Sequence, residues 1–274
     1  MSEFTGYLID EEPRAELVKN SIEFDFAELV CGDFPDTRGI KNMMKRTDQY
    51  RMNSCGGFGT VHSANVAFWC QTGEWREFNP LFAYREGQRI SGISGDRGVT
   101  INGVAEAAKR VGLLVKDVEG DGTDEFPYYQ DYGHKFPQSV YQIAAQRKVG
   151  YTAVLRSWDA IMNFLRGNQG GVIVGGPWGN WAPDRNGVYR NFRSGGGGHA
   201  RALVDWEKRG NEFVLVEANS HFKSFGDNGF GYVPRDFMED QLADSRFVAI
   251  GISDIHLAPG DVPKHRPYRR FVKF

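Results

Sequence analysis

Three side chains in this sequence are of the types that acyl-transfer chemistry uses, and each stands where a fold could present it. Cys55 opens a run in which Gly56, Gly57 and Gly59 fill the first turn and Phe58, Val61, Val66 and Phe68 recur at helical spacing. A thiol at a helix start lies beside unsatisfied N–H groups and the positive end of the helix dipole, which favours thiolate. His199 follows Gly195 to Gly198 and opens the apolar run 200–204, so its imidazole stands where a strand leaves a flexible turn and could serve as a base. Asn219 ends the apolar run 213–218, and an amide there could hold the other nitrogen of an imidazole. Each also has a plainer reading: a small buried thiol, a loop histidine and a turn asparagine. His62 falls mid-helix, His134, His256 and His265 lie in polar or Pro-rich segments, and His221 flanks a strand end. No CxxC, HExxH or carboxylate–histidine spacing is present, so neither a metal nor a cofactor is expected.

The elements that must position these groups follow from periodicity. Helices are expected from Cys55 to about residue 70, over 101–111 with Gly112 as its stop, and from Ser157 to Gly167. The three glycines at the start of the first helix cost helix stability, and close approach by a ligand backbone would account for them. Strands are expected at 172–174, 200–204, 213–218, 230–233 and 247–252. Helices crowd the first half and strands the second, which implies an α+β protein with a helical lobe packed on a sheet lobe and a site between them. The expected divisions are an N-terminal extension and entry segment (1–47), a helical lobe with Cys55 (48–130), a β lobe with His199 and Asn219 (131–255) and a C-terminal tail (256–274). One short helix is expected within 11–29.

Composition narrows the function classes. The chain has 274 residues, 41% hydrophobic and 25% charged, enough for a sizeable core. A net charge of -2 points to no nucleic-acid partner. No run approaches the roughly 18 apolar residues of a membrane span, and residues 1–5 lack the basic and apolar regions of a signal peptide. Cys31, Cys55 and Cys70 cannot all pair with one another, so reduced thiols and cytoplasmic synthesis are expected, with incorporation into a larger assembly left open. The tail alternates Lys264, Arg266, Arg269, Arg270 and Lys273 with Tyr268, Phe271 and Phe274. It reads as a docking strip for a protein partner or a second copy, or else as a segment packed on its own β lobe.

Taken together, the motifs resemble the papain-like cysteine peptidase family. Asp48-Gln49 precedes Cys55 as that family's oxyanion Gln precedes its nucleophile. Asn53-Ser54-Cys55-Gly56-Gly57-Phe58 is similar to its Gly-Ser-Cys-Trp-Ala-Phe, and Gly198-His199-Ala200 to its Gly-His-Ala. Ala218-Asn219-Ser220 followed by Gly226-Asp227-Asn228-Gly229-Phe230-Gly231-Tyr232 resembles its Asn-Ser-Trp-Gly and Trp-Gly-Asp-Asn-Gly-Tyr. His199 and Asn219 follow Cys55 by about 140 and about 160 residues, near the family spacing of about 130–150. The resemblance runs from about residue 34 to 252. It implies a two-lobe fold with the active site in the cleft between a helical and an antiparallel β lobe. It also implies a peptide or protein substrate, Cys55 as nucleophile, His199 as general base, Asn219 as orienter and Gln49 as oxyanion donor. Gly98 is the implied contact for substrate backbone. Three positions depart from the pattern: Gly56 replaces the aromatic after the nucleophile, Met52 replaces a half-cystine, and His221 replaces the Trp that shields the Asn–His hydrogen bond. Only 48 residues precede Gln49, too few for the family's inhibitory propeptide, so the N-terminal extension is left as the segment that could cover the cleft.

Two other functions share these residues. One is a papain-fold binding or structural component of a larger assembly, such as a virion, with weak or no catalysis. The other is a cell-wall amide hydrolase or acyltransferase. A transglutaminase-type reading prefers Asp as third member, and Asn219 argues against it.

Overall fold

An 18-residue helix, α1 (Cys55–Thr72), runs through the middle of the molecule and is buried on nearly every side. The computed structural model describes residues 7–8, 35–45, 47–116, 131–179, 183–190, 192, 195, 197–221 and 225–261. Glycine permits the start of α1. A Cβ on Gly57 would lie 2.3 Å from the carbonyl oxygen of Pro80 and 2.8 Å from Cβ of Tyr84, so this helix and the next pack at backbone contact. A Cβ on Gly56 would lie 2.5 Å from Cγ1 of Val99, which leaves no room for an aromatic side chain. The close neighbours of these glycines are therefore the protein's own chain, where the sequence suggested a ligand backbone. Gly73, at φ 77, ends α1 and gives its N–H to Trp69 at 2.7 Å.

Beside α1 lie α2 (Pro80–Ile90) and α3 (Ile101–Arg110), capped by Asn79 and Thr100, whose side chains accept the N–H groups of Phe82 and Gly103 at 3.0 Å each. Next come α4 (Gln138–Ala144), β1 (Val149–Val154) and α5 (Trp158–Arg166), the last capped by Ser157 at 3.1 Å. The rest is β2 (Gly170–Trp178), β3 (Gly197–Arg209), β4 (Glu212–Ala218), β5 (Phe230–Val233), α6 (Arg235–Ala243) and β6 (Val248–Ile255). The strands form one antiparallel sheet in the order β1-β6-β2-β3-β4-β5.

Alternation along the strands divides the core. Ile173, Ile250 and Ile252 join Phe58, Val61 and Phe68 of α1. Val172, Val174, Leu203 and Leu215 join Trp158, Phe164 and Leu165 of α5 and Phe237 of α6. The helical half thus packs on one face of the sheet while α5 and α6 cover the other, an α+β arrangement.

The helices and strands expected from periodicity are present, with ends shifted by a few residues, and 230–233 coincides with β5. Four elements were not anticipated: α2, α4, β1 and α6. Each begins at or follows a Pro, a Gly-containing run or a polar turn that reads locally as loop. The short helix expected within 11–29, Cys31 and the basic aromatic tail from residue 264 lie outside the described residues.

Candidate active site

Cys55 is the first residue of α1 and is wholly buried. Its N-cap, Ser54, makes no side-chain capping bond, so the first amides of the helix are left to the sulfur. The backbone N–H groups of Ala200, Gly56 and Cys55 itself point at the thiol. Burial pushes the thiol up to about 12, and these N–H groups, with the charge of Arg201, pull the other way.

His199 stands near the start of β3, paired across to Gly176 of β2. Its Nε2 lies 3.2 Å from Oδ1 of Asn219, at the end of β4. Asn219 is fixed in turn: its N–H donates to Gly229 O at 3.1 Å and its side-chain NH2 to Glu217 Oε1 at 3.1 Å. The imidazole sits between two rings. Trp178 meets it edge-on at 4.5 Å, and His221 stacks on it at 4.5 Å with 16° between planes. His221 thus occupies the shielding position that the motif comparison assigned to a Trp. Burial holds His199 well below the ordinary histidine value of 6.5, assisted by His221 and Arg201, while the Asn219 bond acts in the opposite sense. Burial lowers His221 to about 4. Burial thus favours the neutral form of both thiol and imidazole.

Gln49 joins the two halves. Its N–H donates to Ser220 O at 3.0 Å, its Oε1 accepts the Ser220 hydroxyl at 2.6 Å, and its NH2 donates one hydrogen to Met52 O at 2.9 Å. An amide NH2 carries two hydrogens, so this group keeps donor capacity beyond that bond.

The fifth candidate, Gly98, has its N–H on the Tyr84 hydroxyl at 3.2 Å and its C=O on Gln88 at 2.8 Å. Asp96, two residues earlier, ties this loop to the start of α1, accepting Asn53 N–H at 2.9 Å. It is the neighbour, Val99, that pairs with chain: Tyr7 forms a parallel bridge with it, and Leu8 N–H donates to Val99 O at 3.1 Å. Tyr7 also packs against the residue before His199. A Cβ on Gly198 would be 2.3 Å from Tyr7 O, and one on Gly175 would be 3.1 Å from the Tyr7 ring. Tyr7, Val99, Ile101, Ala200 and Cys55 share one buried apolar cluster.

Sequence comparison gives no match to a protein-family model and none to a curated protein. Solved structures do match. The chain is similar to xylellain, a cysteine protease from Xylella fastidiosa, with TM-score 0.67 and 16% identity over 92% of this chain and 96% of that one. It is similar to the Amb a 11 ragweed pollen cysteine protease in its proform, with TM-score 0.63 and 13% identity over 84% of this chain and 70% of that one. It is also similar to procathepsin B S9 from Trypanosoma congolense, with TM-score 0.61 and 14% identity over 92% and 87%. This chain has a papain-like cysteine peptidase fold.

Within that papain-like fold, three groups beyond the sequence candidates contact the site: Trp178, Glu217 and the Tyr7–Leu8 segment. Glu217 had a signal, a carboxylate inside an otherwise apolar strand. Trp178 and Tyr7 had none, because their proximity depends on the sheet register and on the path of a distant segment.

Proposed function

We propose that the protein is a cysteine peptidase, acting on peptide or protein substrates through Cys55, His199, Asn219 and Gln49. The observation that carries this is the His199–Asn219 hydrogen bond between neighbouring strands, set beside a thiol at the uncapped start of a buried helix. When the cleft opens, Nδ1 of His199 takes the proton of Cys55. The thiolate attacks the substrate carbonyl, and the oxyanion is held by the Gln49 NH2 and the Cys55 N–H. His199 returns the proton to the leaving amine as the C–N bond breaks, leaving a thioester. A water molecule, deprotonated by His199, attacks the thioester; the C–S bond breaks, releasing the acid and restoring the thiol. Substrate backbone lies along the edge at Val99, beside Gly98, where Tyr7–Leu8 now pairs, so the described state is latent.

The test is hydrolysis of a peptide library by wild type and by Cys55→Ala, with mass mapping of alkylated cysteines. Cys55-dependent cleavage supports the proposal. Folded Cys55→Ala protein with wild-type turnover would overturn it, and a wild type that cleaves nothing would leave the binding-component reading.

A further inference from the structure

Behind the His199–Asn219 pair lies a fully buried ion pair. The side chains of Arg201 and Glu217 are 1% and 0% exposed, and Nη1 donates to Oε2 at 3.0 Å. Arg201 Nη2 also reaches Gln241 Oε1 at 3.4 Å, and its guanidinium lies 4.9 Å above the Trp178 ring. The other carboxylate oxygen of Glu217 accepts the Tyr189 hydroxyl at 2.7 Å and the Asn219 NH2 at 3.1 Å. Strand alternation puts these groups on one face: His199 and Arg201 are two apart on β3, and Asn219, just past the end of β4, is two beyond Glu217.

A side-chain amide has two ends of nearly equal shape, and only one orientation suits His199. With Nδ2 on Glu217, the Asn219 oxygen is left facing Nε2 of His199. Flipped, the amide would set its oxygen against the Glu217 carboxylate and its NH2 against the imidazole nitrogen. A carboxylate accepts and does not donate, so it rejects that arrangement. The Asn219 oxygen then requires the proton on Nε2, which leaves Nδ1 as the basic nitrogen of His199.

Stability alone gives little reason for such a pair. Desolvating two charges costs about as much as their attraction returns, and apolar residues of similar volume often replace buried pairs at no loss. We propose that Glu217, held by Arg201 and Tyr189, is a positioning residue for the reaction: it locks the Asn219 amide in the orientation that orients His199. This inference rests on the peptidase reading above.

The experiment compares kcat and KM on a peptide that the wild type cleaves. R201M/E217L removes the pair without stranding a charge. Its kcat is expected to fall by roughly ten- to hundredfold, the scale on which second-layer partners act, with KM nearly unchanged, in protein whose folding is verified by circular dichroism. R201M/E217Q restores a neutral acceptor and is expected to recover most of the loss. Near-isosteric E217Q is a second probe: with Arg201 present, its amide oxygen turns to the guanidinium and its NH2 to Asn219, so the same loss is expected. Wild-type kcat in folded R201M/E217L or in E217Q overturns the role of Glu217, as does a loss that R201M/E217Q fails to recover. Absence of Cys55-dependent hydrolysis in the wild type refutes the peptidase reading instead.

Discussion

Tyr7 pairs with Val99 and lies over Gly198, and the thiol beneath is neutral because it is buried. Replacing Tyr7 with Ala removes the ring packed at Gly175 and loosens the bridge to Val99. The effect on Cys55 can be worked out. Its thiol stands at about 12 against 9.0 for an ordinary one. Each pK unit is a factor of ten, so at pH 8 the covered site holds about a thousandfold less thiolate than an exposed one. A less basic thiolate is also a weaker nucleophile. With a Brønsted slope of about 0.4–0.5, that returns a factor of roughly 20–30 in attack on a disulfide. The net gain for a fully uncovered site is then on the order of fortyfold, and more if His199 accepts the proton. Stopped-flow reaction with a small aromatic disulfide, followed by mass mapping, should show Cys55 of Tyr7→Ala reacting at least about tenfold faster than in wild type. Cys70 serves as an internal control. It is buried against Arg38, whose Nη1 lies 3.3 Å from its sulfur, and its rate should not move. An unchanged Cys55 rate in folded Tyr7→Ala protein would refute the covering role of this segment.

Three further outcomes are expected. His199→Ala should lose about 10²–10⁴-fold in kcat/KM, as befits a proton carrier, and Asn219→Ala less; equal and negligible losses in a peptidase assay would rule out the triad. His62 is buried in α1 and lowered to about 4, first by burial and then by Lys116. The unfolded chain therefore binds this proton first as pH falls below about 6.5, so stability is full above that value and declines toward pH 4 by about 3 kcal/mol. His62→Gln should flatten that decline in urea midpoints measured across the range, and parallel curves would contradict it. Gly57→Ala forces a Cβ to 2.3 Å from Pro80 O. The overpacking cost of about 1–3 kcal/mol should outweigh a helix-propensity gain of about 1 kcal/mol, and a raised melting temperature would count against the backbone contact.

Much of the candidate site was legible because it is written in local contexts: Cys55 before a buried helical run, His199 after four glycines, Asn219 at a strand end. Helical and strand periods likewise located α1, α3, α5 and most of the sheet. What escaped depends on register and distance. Arg201 and Glu217 meet only because β3 and β4 pair antiparallel with a shift between Leu203 and Asp205, and one chain's residue types do not disclose that offset. The start of α2 carried a readable signal, Asn79 followed by Pro80 at the first helical position, but it sits beside a polar turn that masks it. The glycines at the head of α1 were conspicuous, yet the backbone they admit comes from residues that only the tertiary structure brings near.

The clamp between Gln49 and Ser220 spans 171 positions in the chain. Closing so long a loop is entropically costly and comes late, after local helices and hairpins have formed. The segment before α1 and the segment after β4 must both be in place before Gln49 is anchored. A chain with α1 formed and the sheet incomplete would carry Cys55 without His199, Asn219 or the anchored Gln49 amide beside it. If the peptidase reading holds, recovery of turnover after denaturation should therefore lag behind recovery of helical circular dichroism and follow the slowest folding phase.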